Sequence, residues 1–229
     1  MKVLAFDTSS KDLSVAILDG ENLLADVMVN IKKNHSINLM PAIDFLMKAV
    51  DLKPTDLDRI SVAQGPGSYT GLRVAVATAK TLAHTLNIEL VGVSSLYALA
   101  AVADFDGLVV PVIDARRNNV YAGFYKDGQS LKDDQRMNFV DVLEAVKDEE
   151  SVMFVGEVAN FSDQIAESLP QAKVLSVLPS AYAIGKRGQE LQPVDVDSFV
   201  PSYLKRVEAE ENWLKTHIEN PSANYVNRI

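Results

Sequence analysis

The amino-acid sequence predicts an α/β fold with mixed sheets, built as two related lobes. The first observation is that short apolar, β-prone runs alternate along the 229 residues with segments of helical periodicity. The second is that one unit occurs twice: a strand that ends at Asp, a polar turn, and a strand that ends at Asp-Gly. The unit spans Asp7 to Gly20 near the N-terminus and Asp114 to Gly128 near the middle of the chain. Hairpins with Asp-Gly turns are common, but the nearly equal lengths favour an internal duplication.

The first lobe is predicted to open with three antiparallel strands, because the Asp19-Gly20 pair is a hairpin signal between two apolar runs. Its helices follow from apolar residues spaced three and four apart. Pro41 is tolerable only in the first turn of the first helix, and Thr70 is the expected cap of the second. The predicted strands cover residues 2–6, 13–18, 22–29, 60–63 and 88–93, and the predicted helices cover 36–50, 70–86 and 95–103.

The boundary between the lobes is predicted within residues 104–107, and the second lobe is predicted to repeat the three-strand opening from residue 108. This division assigns residues 1–105 to an N-terminal lobe and 106–229 to a smaller C-terminal lobe, whose last helix is expected to pack back on the first lobe. The predicted strands of the second lobe cover 108–113, 120–125, 152–155 and 173–177, and its predicted helices cover 139–146, 161–168 and 179–191.

The composition excludes several kinds of chemistry. The formal net charge is −9, which repels nucleic-acid phosphates, so we do not expect the chain to grip RNA by itself. The absence of cysteine excludes disulfides, thiol catalysis and cysteine-ligated metals. The N-terminal apolar run is too short for a signal peptide, and no apolar stretch approaches the ~20 residues of a membrane helix. We therefore expect a cytoplasmic protein without membrane association.

The most specific motif is Gly-Pro-Gly-Ser-Tyr-Thr-Gly-Leu-Arg, from Gly65 to Arg73. Its glycines allow backbone conformations that other residues avoid, and it leads into a helix N-terminus, where free N–H groups can hold an anion. One interpretation is a phosphate-binding loop, although the motif lacks the Gly-Lys-Ser/Thr ending of a Walker loop. The other is a tight connector from a strand to a helix, and the residues alone favour the connector.

The same motif carries a family resemblance. Residues 65–74, the Asp-Thr-Ser run at 7–9 and the His-Ser pair at 35–36 resemble the TsaB (YeaZ) family of tRNA threonylcarbamoyladenosine biosynthesis proteins. The resemblance is dense over residues 1–125 and loose beyond, where residues 201–204 and the acidic run after them look like the C-terminal end of the family.

The resemblance implies an actin-like ATPase fold (ASKHA, ribonuclease H-like) with two related lobes. It also implies a non-catalytic subunit, required for threonylcarbamoyl transfer to N6 of adenosine 37 in tRNA, that scaffolds and activates the transferase TsaD. The implied partners are TsaD in a heterodimer, the small ATPase TsaE, and a second copy of the chain in isolation, with tRNA contacted only indirectly. No cofactor is implied in the isolated subunit, and ATP or ADP only in the complex. The alternative is an independent actin-like ATPase or phosphotransferase.

Asp7, Thr8 and Ser9 are the candidates for nucleotide binding. In active relatives of the implied fold, an acidic residue at the end of the first strand helps to position a nucleotide-bound metal. The alternative is that an Asp-Thr-Ser turn ends the strand with Asx-type hydrogen bonds. We prefer this alternative, because the second such turn, at residues 114–117, carries two arginines and no glycine.

The histidines argue against a metal site. His35, His84 and His217 lie far apart in sequence. The catalytic relative holds metal through paired histidines four residues apart on the first helix, and Leu39 stands four residues after His35. We therefore expect no metal and no metallopeptidase activity, and we interpret His35 as a helix-start or interface residue.

The helix predicted over residues 70–86 is apolar on nearly all sides and carries a stripe of small residues at steps of four. Such a helix is buried on more than one side, so besides its own sheet it meets either the helix over 36–50 or another protein. A core helix is the alternative. The interface prediction places partner contact on both helices, so Ala75→Glu should block both the homodimer and the heterodimer, and folding should survive if position 75 faces solvent. The predicted interface residues are His35, Leu39, Ile43, Gly71, Leu72, Ala75, Thr78, Ala79 and Leu82.

Overall fold

The computed structural model describes residues 1–30 and 35–204 and contains two five-stranded sheets. The first sheet consists of β1 (Lys2–Asp7), β2 (Leu13–Asp19), β3 (Asn22–Val29), β4 (Arg59–Gly65) and β5 (Glu89–Ser94). The second consists of β6 (Leu108–Asp114), β7 (Asn119–Lys126), β8 (Gln129–Asn138), β9 (Val152–Gly156) and β10 (Lys173–Leu175). The helices are α1 (His35–Ala49), α2 (Tyr69–Leu86), α3 (Ser95–Ala100), α4 (Phe139–Ala145), α5 (Ser162–Ser168) and α6 (Ala181–Glu190).

The two sheets have the same topology, which confirms the prediction of two related lobes with mixed sheets. The strand order is β3-β2-β1-β4-β5 in the first sheet and β8-β7-β6-β9-β10 in the second. In each sheet the first three strands in sequence are antiparallel neighbours. The last two strands in sequence of each sheet are parallel to the first strand and to each other. Two stretches of sequence thus build the same five-stranded arrangement, as an internal duplication requires.

Helices cover both faces of the first sheet, because both faces of its central strands are apolar. On β1, Leu4 and Phe6 point to one face and Val3 and Ala5 to the other, and all four are buried. Helices α1 and α2 pack on the Leu4 and Phe6 face. Helix α6, from the other end of the chain, packs on the opposite face. The first lobe is therefore completed by residues far along the sequence.

Helix α6 lies unusually close to the first sheet. A Cβ atom at Gly185 would collide with the Leu18 side chain, and one at Gly188 would collide with the Ser61 side chain, so a larger residue at either position would displace the helix or its neighbour. The buried guanidinium of Arg59 fixes the C-terminal end of the helix: its Nη1 donates to the carbonyl oxygens of Gly188 (2.5 Å) and Leu191 (3.1 Å). Arginine at this point satisfies carbonyls that the helix itself leaves without donors.

The second sheet is also covered on both faces. Helices α4 and α5 pack on one face through a cluster that includes Phe139 and Ile165. Helix α3 covers the other face, where its buried side chains Leu96 and Leu99 meet Ile113 and other side chains of the second sheet. Because α3 follows directly from β5 of the first sheet, this short helix lies at the junction of the two lobes.

Residues 191–204, the C-terminal strap, run along the flank of α2 from its C-terminal end to its N-terminal end. Lys80 donates to the carbonyl of Asp197 at 2.8 Å. Phe199 of the strap is buried in the core beneath the helix. At the far end the ring of Tyr203 stacks against Tyr69 with a centroid distance of 5.1 Å. The predicted acidic run after residue 204, and His217, lie outside the described residues.

Three local predictions were wrong. The N-cap of α2 is Ser68 and not Thr70, because the helix begins one residue earlier and the Ser68 hydroxyl accepts the Gly71 amide at 3.3 Å. Pro41 lies inside α1 and not in its first turn. Pro41 and Ile37 are both exposed, so solvent can satisfy the Ile37 carbonyl that lacks an amide donor. Helix α3 ends at Ala100 instead of continuing to residue 103.

Candidate functional site

The loop between β4 and α2 is a structural joint that rests on the Asp7-Thr8-Ser9 turn. The Ser68 amide donates to the Ser9 carbonyl at 2.6 Å, and the Thr8 hydroxyl donates to the Gly71 carbonyl at 2.7 Å. A Cβ atom at Gly71 would overlap the Thr8 carbonyl oxygen. Close approach of two backbones therefore accounts for this glycine without any ligand. The geometry supports the connector interpretation of the motif.

The carboxyl group of Asp7 is enclosed by this joint, with the residue only 1% exposed. Its Oδ1 accepts the Ser9 amide at 2.5 Å, which is the predicted Asx-type bond. Its Oδ2 has no hydrogen-bond partner among residues 1–30 and 35–204. Burial raises the pKa of Asp7 to about 6, against the opposing effects of the Ser9 hydrogen bonds and the charge of His35. The carboxyl group is therefore enclosed within the joint and does not face solvent.

His35 ties the start of α1 to the turn between β1 and β2. Its Nε2 lies 2.9 Å from the carbonyl oxygen of Ser10, a geometry in which the ring nitrogen is the donor. Leu39, one helical turn later, is buried in the core. Within the part of the chain that the structure describes, no cluster of three or more His, Asp or Glu side chains is placed to hold a metal ion.

A cleft of about 310 Å³ separates the two lobes. Its first wall comes from the β1–β2 turn, with Lys11 and Asp12, and its second from the β6–β7 turn and the chain after β9. The acidic groups of the second wall are already engaged. Asp114 accepts the Arg116 amide at 2.7 Å and the Asn160 side-chain amide at 3.1 Å, and Glu157 accepts the Asp114 amide at 2.9 Å.

These residues do not fit a metal-bound nucleotide of the kind that actin-like ATPases hold. Asp7 is not among the residues that line the cleft, and it lies beneath the joint instead. At the second turn Arg116, Arg117 and Asn118 adopt positive φ values of 70°, 53° and 56°, a conformation that favours glycine. Two arginine side chains therefore stand where a glycine-rich turn would approach phosphates.

The predicted interface residues are mostly internal to the first lobe. The stripe of small residues on α2 faces its own sheet: Ala75 is 0% exposed and packs in the core cluster. Small side chains let the helix approach the sheet closely, which is why the stripe points inward. His35, Thr78 and Leu82 are partly exposed, at the margin of this packing. Six of the predicted interface residues are buried within the first lobe: Leu39, Ile43, Gly71, Leu72, Ala75 and Ala79.

The exposed apolar face of this region lies on α1 and was missed in the sequence. Ile37, Met40 and Phe45 are 68%, 46% and 63% exposed, whereas Leu39 and Ile43 point inward from the same helix. The sequence does contain a signal for this face, because α1 is apolar on most of its circumference and a sheet can cover only one side of a helix. Large exposed apolar patches on a folded domain mark interaction sites.

Comparisons with known proteins agree with the two-lobe fold. Residues 22–213 match the family described as TsaD: tRNA N6-adenosine threonylcarbamoyltransferase. The tRNA threonylcarbamoyladenosine biosynthesis protein TsaB of Bacillus subtilis (strain 168) is 39% identical over 227 residues, which are 94% of this chain and 99% of that protein.

Among solved structures, an uncharacterized Pseudomonas aeruginosa protein with similarity to peptidase YEAZ has a TM-score of 0.75 at 26% identity, over 89% of this chain and 99% of that one. The ROK hexokinase from Thermus thermophilus has a TM-score of 0.51 at 11% identity, over 83% of this chain and 98% of that one, a likeness of fold alone. These neighbours confirm the predicted actin-like ATPase fold. None of the helices described here has the length and apolar character needed to cross a bilayer.

Proposed function

The chain belongs to the TsaB (YeaZ) family of tRNA threonylcarbamoyladenosine biosynthesis proteins, and we propose that it is the non-catalytic subunit that scaffolds and activates a TsaD protein. In this role it supports threonylcarbamoyl transfer to N6 of adenosine 37 in tRNA. Two observations support a non-catalytic role: Asp7 does not line the cleft, and both carboxylate oxygens of Asp114 already accept hydrogen bonds within the second lobe.

The observation that carries the proposal is the exposed apolar face of α1. Ile37, Met40 and Phe45 are large, apolar and at least 46% exposed, and they stand on a helix whose other side is anchored in the core. An ion pair on the same helix joins Asp44 to Lys48 at 2.7 Å. An apolar surface with a charged margin is typical of a protein–protein interface.

The fold suggests how a partner reaches this face. Residues 22–213 of this chain match the family described as TsaD, so we expect a TsaD protein to have a related fold. Such a protein can present its own helices equivalent to α1 and α2. Helices α1 and α2 contact each other and would form one side of such a helix-to-helix contact. The same surface can pair with a second copy by two-fold symmetry, since an isologous contact needs only one self-complementary patch. The homodimer and the TsaD heterodimer would then compete for it.

The remaining partners are those that the resemblance to the family implies. TsaE would join the TsaB–TsaD pair, and ATP or ADP would act at the level of that complex. The net charge of −9 leaves tRNA contact to the partner, because an acidic chain is repelled by RNA phosphates.

The direct test replaces Phe45 with Asp. A carboxylate in the centre of an apolar interface should weaken binding to TsaD and to a second copy by about 2 kcal/mol or more, or about thirtyfold in affinity. Folding should be unaffected, since Phe45 is 63% exposed. Light scattering reports the homodimer, a titration with purified TsaD reports the heterodimer, and complementation reports the tRNA modification.

The matched control is Val140→Asp, which places the same charge at an exposed apolar position of helix α4 in the other lobe. It should leave both associations unchanged. If folded Phe45→Asp binds TsaD as the parent does, the α1 face is not the interface. If the purified parent alone hydrolyses ATP, the alternative of an independent actin-like ATPase gains support instead.

A further inference from the structure

The carboxylate of Asp134 lies at the junction of the two lobes, on the side of α3 away from the cleft. Asp134 belongs to β8, an edge strand of the second sheet, and Ser94 ends β5, an edge strand of the first. The Ser94 hydroxyl donates a short hydrogen bond to Oδ2 of Asp134. The Tyr125 hydroxyl, from β7, donates to Oδ1 at 3.2 Å. One carboxylate thus connects the two sheets.

The local chain is built to place this carboxylate. The register between β7 and β8 pairs Ala122 with Gln135 and Phe124 with Lys132, so two residues of β8 oppose one residue of β7. This β-bulge re-aims a side chain that would otherwise follow the regular alternation of the strand. The opposing residue is Gly123, where a Cβ would approach Asp134 Oδ1 to 3.1 Å.

Ser94 has a second task that makes the contact rigid. Its hydroxyl oxygen accepts the amides of Leu96 (3.0 Å) and Tyr97 (3.2 Å) and thereby caps helix α3. The single hydroxyl proton is then available to Asp134. The carboxylate is therefore bonded to the residue from which the junction helix begins, and burial raises the pKa of Asp134 above its usual range.

We propose that Asp134 is an inter-lobe latch: its bond to Ser94 holds the second sheet in one orientation relative to α3 and the first sheet. Leu99 of α3 lines the cleft on one side, while Tyr97 of the same helix lies beside Asp134 on the other. Release of the latch lets the second lobe rotate about α3, and the cleft changes width. The latch acts within the isolated chain, without a partner protein.

The test measures lobe orientation by single-molecule FRET. The sequence has no cysteine, so cysteines introduced at the exposed positions Thr55 and Glu167, one on each lobe, take the two dyes without background. High dilution keeps the labelled chains separate. The parent should give one narrow FRET population. Asp134→Ala should add a second population and raise the share of the alternative orientation about tenfold or more, since that is the effect of one hydrogen bond to a charged group.

The matched control is Asp133→Ala, which removes the same charge from the neighbouring exposed position and should keep the single population. Hydrogen exchange at the Leu96 and Tyr97 amides should stay slow in Asp134→Ala, because Ser94 still caps α3. An unchanged FRET distribution in folded Asp134→Ala overturns the latch, and so does fast exchange at those amides, which would mean local unfolding. If Asp134→Ala does not fold, Tyr125→Phe provides a milder test, because it removes only the hydrogen bond from Tyr125 to Asp134. This variant should broaden the FRET distribution. No broadening would overturn the proposal.

Discussion

Replacing Asp7 with Asn should stabilise the folded chain at neutral and higher pH. The carboxyl group is 1% exposed, and one of its oxygens has no hydrogen-bond partner within the described ranges. Burial raises the pKa of Asp7 from 3.8 to about 6. Each pKa unit corresponds to about 1.4 kcal/mol, so the ionised group destabilises the folded state by about 3 kcal/mol. An amide of the same shape carries no charge to bury, and its Oδ1 can still accept the Ser9 amide.

The direction of the pH dependence follows from the raised pKa of Asp7. Between about pH 4 and pH 6 the folded state holds this proton more tightly than the unfolded state, so stability falls as pH rises through this window. Below the window Asp7 is protonated in both states and does not destabilise the fold, whereas above the window it is ionised in both states and the full penalty applies. Asp7→Asn should therefore differ little from the parent near pH 4 and exceed it by up to about 3 kcal/mol near pH 8.

Urea unfolding of parent and variant at both pH values gives the measurement, and the difference between them cancels the other acidic groups. The control Asp163→Asn removes one charge at an exposed position of α5 and should show no such difference. A variant that is less stable than the parent near pH 8 would refute the reasoning. We also expect Asp7→Asn to support tRNA modification, and its failure to do so while folded would favour a nucleotide role for Asp7.

Three further substitutions test the packing. Gly71→Ala should cost about 3 kcal/mol or more, because its Cβ meets the backbone of the Asp7 turn, whereas Gly20→Ala, with φ of 57° and open space around it, should cost about 1 kcal/mol in urea unfolding. Ala75→Glu should prevent folding, as seen by circular dichroism, because the position is fully buried; a folded variant would contradict the inward orientation of α2. Arg59→Met should lower stability by about 3 kcal/mol through the loss of bonds to the end of α6, whereas Lys147→Met at an exposed ion pair should not change the unfolding midpoint.

The elements of this fold could be predicted because their signals are local. The Asp19-Gly20 and Asp127-Gly128 turns and the alternation of apolar runs can be recognised within a few residues, and the nearly equal spacing of the two units indicates the duplication. The face of α2 that meets the sheet could not be predicted, since periodicity shows an apolar helix on nearly all sides without saying which side the sheet takes. Phe45 was missed for the same reason.

The position of Asp134 depends on contacts that no local pattern contains. Asp133 and Asp134 look alike in the sequence, and both were interpreted as a solvated acidic face. The bulge opposite Gly123 turns one of them toward Ser94, which is 40 residues away along the chain. Such an arrangement exists only once both sheets have formed. This is the physical reason that sequence reasoning missed the contact between Asp134 and Ser94.

The packing of α6 on the first sheet also sets an order of events during synthesis. Arg59 reaches Gly188 across 129 positions, and Ser14 accepts the amide of Ala181 across 167. While the ribosome is still translating the second lobe, the face formed by Val3, Ala5 and its neighbours has no cover. One apolar face of the N-terminal sheet therefore stays exposed, and available to chaperones or to aggregation, until nearly the whole chain has been synthesised. A gene fragment that stops after the first sheet would encode a sheet with one apolar face that helix α6 does not cover.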